Sequence, residues 1–438
     1  MNMKHRVADA IRRTVAHNRM VLSRLDTSSL LAGSLLGSLA VVIINLLLTL
    51  YVYRTTGSSP AAVSALFVIT FMPNLVVAPL CSGLADRWNR RLLLGACGLA
   101  RGLLCVLLLF SWQLPILLLL AFGITSISAI SKPARYALVA QLTTGAERVA
   151  VNSLLMIVGT SAGIVGGGVS AFLASVASRE VFAVMALISA IGGLLDMVRF
   201  RQAPAPVFKQ HSSTLTCNSD DGPLPTEGQS SRQSPPLFRR LADGWRLVRY
   251  TPALFALTVA TTILWFGLGV QEPLLVVFVD HVLAAPDSTY PLLATVGSVG
   301  GLLGAVAATP LASSPSAAAR SFSMSLLLAG ICFVAFASSN SSIAIAFVTF
   351  FLFNSTYGVS NVIDEYLEQE LSPDYLRATV ISAIGAIGTL GYLLGGGLAG
   401  FAVSSLGAEV TATGIGVVIV AAGIYGLLKL RIEPGVTS

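Results

Sequence analysis

Ser82-Gly83-Leu84-Ala85-Asp86-Arg87-Trp88-Asn89-Arg90-Arg91 is a short charged stretch between two apolar runs, Pro60 to Cys81 and Leu92 to Ser111. Each run is about the ~20 residues a helix needs to cross the hydrocarbon core of a bilayer. A connector this short holds no domain. It sets how two transmembrane helices meet at the membrane surface, offering a small residue, an Asp, an Arg and an Arg pair in that order.

Composition extends this reading to the whole chain. Of 438 residues, 55% are hydrophobic and only 11% charged, where a soluble domain carries about 25% charged residues. The mean hydropathy is +0.81. Apolar runs of spanning length lie near 28–53, 60–82, 92–111, 113–131, 152–176, 180–198, 253–278, 290–311, 321–338, 342–363, 379–404 and 410–428. Lipid offers no partner to a free backbone group, so each run should be helical. All but Arg54, Arg101 and Arg179 of the 27 Lys and Arg fall in segments that alternate to one side if both termini are cytoplasmic. The positive-inside rule asks for this asymmetry. The net charge of +7 therefore reports orientation in a membrane, and no nucleic-acid partner is expected. Cys81, Cys97, Cys105 and Cys332 lie in or at apolar runs and Cys217 in a polar one, so they read as small fillers without a disulfide framework.

The chain repeats itself. A shift of 229 residues carries Arg91 onto Arg320, Arg148 onto Arg377, and Gly166-Gly167-Gly168 onto Gly395-Gly396-Gly397, without a gap. One frame over several anchors argues for two six-helix halves. The expected organisation is a basic amphipathic segment (1–27) lying on the membrane rather than a cleaved signal, a first half (28–198), a cytoplasmic linker (199–250), a second half (251–430) and a cytoplasmic tail (431–438). The linker is rich in Ser, Pro, Gln and Gly from about Ala203 to Pro236, a composition that does not build a core.

Twelve spans in two parallel-related halves around a long central loop resemble the major facilitator superfamily over nearly the whole chain. A narrower resemblance, to the branch with macrolide efflux proteins and the enterobactin exporter, rests on four features. They are Gly83-Leu84-Ala85-Asp86-Arg87, Arg101 in the next span, Lys132-Pro133-Ala134-Arg135-Tyr136-Ala137-Leu138 after span 4, and Asp243-Gly244-Trp245 before span 7. The resemblance implies a multi-pass transporter of the bacterial inner membrane, acting as a monomer and exporting an amphipathic drug, macrolide or siderophore in exchange for protons. A nutrient importer or a lysophospholipid flippase of the same fold is the alternative. A transport-dead sensor or scaffold is poorly motivated, because the linker holds no recognisable signalling domain.

In that fold the charged loop works as a latch. Asp86 meets the positive N-terminus of a neighbouring helix, the start of span 11, which here follows the helix-opening sequence Ser372-Pro373-Asp374. Arg87, Arg90, Arg91 and Arg377 complete the latch, with Asp364, Glu365 and Glu147 as carboxylate partners; the bland alternative is a basic anchor. Ser82 and Asn89 stand where the family pattern has glycine, and Pro315 takes the place of the Asp in the second-half copy. In span 5, Gly159, Gly163 and Gly167 recur every four residues, with Gly168 beside them, and would let another helix approach closely. The stretch resembles the antiporter motif of exporters, with Ile164 in place of its proline.

The coupling candidates are Glu272 and Arg101, since an ionisable side chain within a span is costly and usually functional. Protonating Glu272 removes a charge that costs about 2.3 kcal/mol per 100 mV to move through the membrane field. The alternatives are that Glu272 merely reaches water at the outer end, and that Arg101 braces the first half, through Asp196 or a helix end. Asn45, Ser126, Trp265, Gln271, Asn354 and Tyr357 are candidates for the substrate cavity, a mixed aromatic and apolar lining with few polar groups. No Gly-Lys pair marks a phosphate-binding loop, and all four His lie outside the spans. No cofactor, metal site or enzymatic constellation is expected.

Overall fold

The structure is a computed structural model that describes residues 25–81, 89–111, 113–143, 145–176, 180–197, 245–340, 342–373 and 376–430. The basic N-terminal segment, Asp86, Arg87 and most of the linker lie outside the described residues. Among the described residues, twelve helices are long and apolar enough to cross a membrane. They are α1 (Leu25–Thr55), α2 (Pro60–Cys81), α3 (Arg90–Leu109), α4 (Leu114–Leu142), α5 (Gly145–Val176), α6 (Glu180–Met197), α7 (Pro252–His281), α8 (Thr289–Leu311), α9 (Pro315–Ala337), α10 (Ile343–Leu371), α11 (Arg377–Leu406) and α12 (Ala408–Lys429).

Local chemistry sets several boundaries. Asn89 caps α3 by accepting the Arg91 N–H at 3.2 Å, and Ser314 caps α9 by accepting the Ala317 N–H at 3.2 Å. Pro315 therefore occupies the first turn of α9, where its missing N–H costs nothing. Gly407 alone separates α11 from α12. Its φ of 85° is open to glycine with little strain.

Four helices outrun the apolar windows by six residues or more, α9 among them by starting at Pro315. α4 continues through Pro133 to Leu142, α5 starts at Gly145, and α10 reaches Leu371. Lys132 to Leu138, expected after span 4, is helical. Hydropathy sees only the most apolar part of a helix, and the added turns keep an apolar side on neighbours, Leu138 and Val139 beside Val151 and Leu371 beside Val380 and Ile384. Ser372 ends α10 in an extended conformation and does not open α11, which begins at Arg377 after a turn closed by Leu376 N–H to Pro373 O at 3.0 Å.

Packing follows the internal repeat. In the first half α1 packs on α5 and α6, α3 on α4 and α6, and α2 on α4; in the second α7 packs on α11 and α12, α9 on α10 and α12, and α8 on α10. Each pairing reappears six helices later. The halves join along two seams, α5 with α8 and α2 with α11, which the same operation exchanges. The matched glycines do matching work. Gly166 packs against Val42 of α1 and Gly395 against Phe266 of α7, while Gly167 meets Thr295 of α8 and Gly396 meets Phe67 of α2. The second half holds the larger aromatic core, including Phe278 stacked on Phe336 at 4.4 Å and Phe333 tilted against Phe353 at 4.8 Å.

Both seams are tight at one end and absent at the other. On α5, a Cβ at Gly167 would stand 3.2 Å from the Pro291 carbonyl, one at Gly163 would lie 3.5 Å from the Ser298 hydroxyl, and one at Gly159 would meet nothing within 4 Å. On α11, a Cβ at Gly400 would stand 2.8 Å from Ala61 Cα, whereas one at Gly385 would meet nothing within 4 Å. The closed rim carries two further links between the halves. Tyr53 donates a 2.9 Å hydrogen bond to Asp280, and Arg54 is ion-paired with Asp287. The two halves therefore form a V that opens toward the end where α3 and α11 begin.

Candidate functional site

The apex of the V is a cleft built on α7. Thr261, Trp265 and Glu272 share one helix face, because steps of four and seven residues return to nearly the same direction. Pro273 follows Glu272 inside the helix and leaves the Gly269 carbonyl without its usual backbone donor. Trp265 meets Tyr392 of α11 edge-on at 5.8 Å. Tyr392 in turn touches Phe67 and Phe71 of α2 at 5.0 and 4.8 Å. One aromatic cluster thus bridges the halves near the middle of α11.

Glu272 sits above this cluster, nearer the closed rim. It acts electrostatically on Tyr290 of α8, Tyr357 of α10 and Tyr392 of α11, and Tyr290 also bonds the Thr49 hydroxyl of α1. Glu272 is nonetheless exposed. A side chain surrounded by groups of several other helices can be exposed only to the cleft between them, so Glu272 lines the roof of the V. Gln271 beside it is buried, and its Oε1 has no hydrogen-bond partner.

The remaining residues singled out in the sequence fall into three groups. Trp265 and Tyr357 join Glu272 at the cleft. Asn45 is exposed on α1, one turn before Thr49, whose hydroxyl donates to its carbonyl at 2.8 Å. Ser126 lies half-buried on α4 with Oγ unpartnered. Asn354 is half-buried: its amide donates to the Phe350 carbonyl at 2.9 Å, and it fills the space left by Gly297 where α8 and α10 touch.

Arg101 belongs to a different site, inside the first half. It is 5% exposed and donates from Nη1 to the Gly37 carbonyl at 3.2 Å. Asp196 of α6 pairs with Arg135 of α4 at 3.3 Å and acts on Arg101 as well. Two guanidinium groups therefore share one carboxylate between α3, α4 and α6. The groups that act on Arg101 are Arg135, Cys97, Cys105 and Asp196, and Glu272 is not among them.

Of the latch, Asp86 and Arg87 lie outside the described residues. Arg90 and Arg91 open α3, and Arg91 acts on Asp196. Arg377 is exposed and donates from Nε to the Gln369 carbonyl at 3.1 Å, at the C-terminal end of α10. Asp364, a suggested partner of the α3 arginines, is buried and accepts a 2.8 Å hydrogen bond from Thr261. Of the α5 glycines, Gly163 and Gly167 pack against α8. Gly159 and Gly168 meet no neighbour within 4 Å, the first because the seam has opened there, the second because it lies one position off the contact face.

Sequence reasoning missed Thr49, Phe67, Phe71, Tyr290 and Tyr392. Tyr392 was the most legible of them, a lone tyrosine in the glycine-rich middle of its helix. Tyr290 stands at the very start of α8, where an apolar window sees only a boundary.

The comparisons agree with this architecture. The model of the Major Facilitator Superfamily matches residues 30–396, and the chain belongs to that family. It is therefore a multi-pass membrane transporter of small molecules rather than an enzyme. Among solved structures, it superposes on the nucleoside transporter NupG with a TM-score of 0.70 at 13% identity, covering 92% of this chain and 100% of that one. A bacterial homolog of the human lysosomal transporter Spinster, inward-facing and unoccupied, superposes with a TM-score of 0.65 at 15% identity, covering 94% and 99%. At these identities the likeness is one of fold. No curated protein sequence matches the chain.

Proposed function

We propose that the protein is a secondary transporter that exports an amphipathic small molecule by alternating access, with the cleft under the closed rim as its substrate site and Glu272 as its proton-coupling group. The graded α5 glycine stripe carries the first part of this reading: Gly167 is tight, Gly163 in ordinary contact and Gly159 free. A seam that loosens steadily along its length is what two rigid halves rocking about a midplane site would produce. The helix starts that adjoin the basic segments, those of α1, α3, α5 and α7, lie at the open end, so the positive-inside rule makes that end cytoplasmic and the conformation inward-facing. Glu272 is the one acidic group of α7 on the cleft face, beneath the rim that must part for release to the outside.

Export in exchange for protons follows from the resemblance of the charged loop and of the α5 glycines to exporters. Import is the competing direction. Retention of labelled siderophores, macrolides and dyes, compared in cells with and without the protein and with and without a protonophore, separates the two. Lower retention of one compound, lost on adding the protonophore, is the expected result. Higher accumulation would make the protein an importer. Glu272→Gln is expected to abolish pH-driven transport, and undiminished transport would remove Glu272 from the coupling step.

A further inference from the structure

We propose that the cleft receives a lipophilic organic cation, with its charge at Glu272 and its apolar body among Trp265, Tyr357, Tyr392 and Phe71. This rests on the reading of the cleft as a transport site and adds the class of substrate. Glu272 makes no hydrogen bond or ion pair among the described residues, and the groups it acts on are tyrosine hydroxyls. The cations near the bundle axis are already committed, and among the described residues the buried acidic Asp364 and Glu368 of α10 have no cation beside them either. Arg101 and Arg135 belong to Asp196 in the first half, Arg54 is held by Asp287 at the rim, and Asp364 takes the Thr261 hydroxyl. The roof of the cleft is therefore a carboxyl group without a counter-charge, open to the cleft.

The walls complete the requirement. The faces of Trp and Tyr rings are negative and attract cations, most strongly where water is excluded. Trp265 lies two turns from Glu272 on the same face of α7, about 10 Å away at 1.5 Å per residue. A ligand entering from the open end passes the Trp265, Tyr392 and Phe71 rings before it reaches the carboxylate. That path suits a molecule with a bulky apolar part and a single positive centre. An anionic siderophore, one of the classes the sequence suggested, would bring negative charge toward Glu272 with no cation there to receive it.

The test is equilibrium binding to the purified full-length protein in lipid nanodiscs, corrected for uptake by empty nanodiscs. Tetraphenylphosphonium and tetraphenylborate have nearly the same shape and opposite charge. Saturable binding of the phosphonium alone is expected. Glu272→Gln and Trp265→Ala should each weaken it about tenfold or more, while Glu272→Asp should retain most of it. Saturable borate binding as tight as that of the phosphonium, no saturable phosphonium binding, or unchanged affinity in Glu272→Gln would each overturn the proposal. The comparison of the two ions on the unmodified protein depends on no variant folding correctly. Phosphonium that binds but does not move across proteoliposomes would overturn the transport reading and leave the cation site standing. Transport of other compounds without phosphonium binding would do the reverse.

Discussion

At the residue scale, the two intramembrane charges found in the sequence have opposite surroundings. Glu272 is exposed to the cleft with no counter-charge, whereas Arg101 is buried against Gly37 and shares Asp196 with Arg135. Apolar flanks surround both in the chain, so composition does not tell them apart. Only the neighbouring helices do. Removing the shared carboxylate would leave two guanidinium groups buried together, and breaking a buried pair by deleting one partner costs about 3–5 kcal/mol. Asp196→Ala is therefore expected to lower the melting temperature of the detergent-purified protein by several degrees. Adding Arg101→Met should recover part of that loss by removing one of the stranded charges. Full stability in Asp196→Ala would show that the cluster braces nothing.

At the element scale, the α5 stripe divides into positions that are packed now and positions that await packing. Gly167 is already filled by Thr295 and the Pro291 carbonyl, so Gly167→Leu should force α5 off α8 and destabilise the protein. Gly159 and Gly385 face open space. Gly159→Leu should fold with a normal melting temperature and still slow transport strongly, because the added side chain would obstruct closure of the open end. A fast, stable Gly159→Leu variant would mean that the seam does not zip up along that stripe. The four-residue spacing was readable in the sequence. Which glycines are in contact depends on the angle between the halves, and no local pattern encodes an angle.

At the scale of the whole molecule, closure of the rim rests on a few polar links and close backbone contacts. The Arg54–Asp287 pair is partly exposed, and such pairs contribute about 0.2–1 kcal/mol. Its loss should thus shift the balance between the two states by up to about fivefold without unfolding the protein. Spin labels at Ser59 and Ser288, on either side of the rim, should show a longer-distance population in Arg54→Asp. The reversed pair Arg54→Asp with Asp287→Arg should restore the short distance. Indistinguishable distance distributions in all three proteins would mean that the backbone seams alone hold the rim shut. The Tyr53–Asp280 hydrogen bond is a second link, which limits the effect of losing one.

Twelve spans, the two-half repeat and the family were legible in the chain alone, because hydrophobic run length, the distribution of Lys and Arg, and a gapless 229-residue register are one-dimensional properties. The extra turns of α4, α5, α9 and α10 were not, since those turns answer to packing. The site was legible only in part. Trp265, Glu272 and Tyr357 stand out as polar or aromatic residues in apolar helices, but Thr49, Phe71, Tyr290 and Tyr392 become their neighbours only when helices distant in sequence converge. Asn354 looks the same in sequence as Tyr357, which lies one turn away on the same side of α10, and yet its amide is spent on the Phe350 carbonyl and the α8–α10 contact. Sequence determined what must lie in the membrane and how often the pattern repeats. Tertiary structure decided which end is shut and which charge faces the cleft, because both depend on how two rigid halves are set against each other.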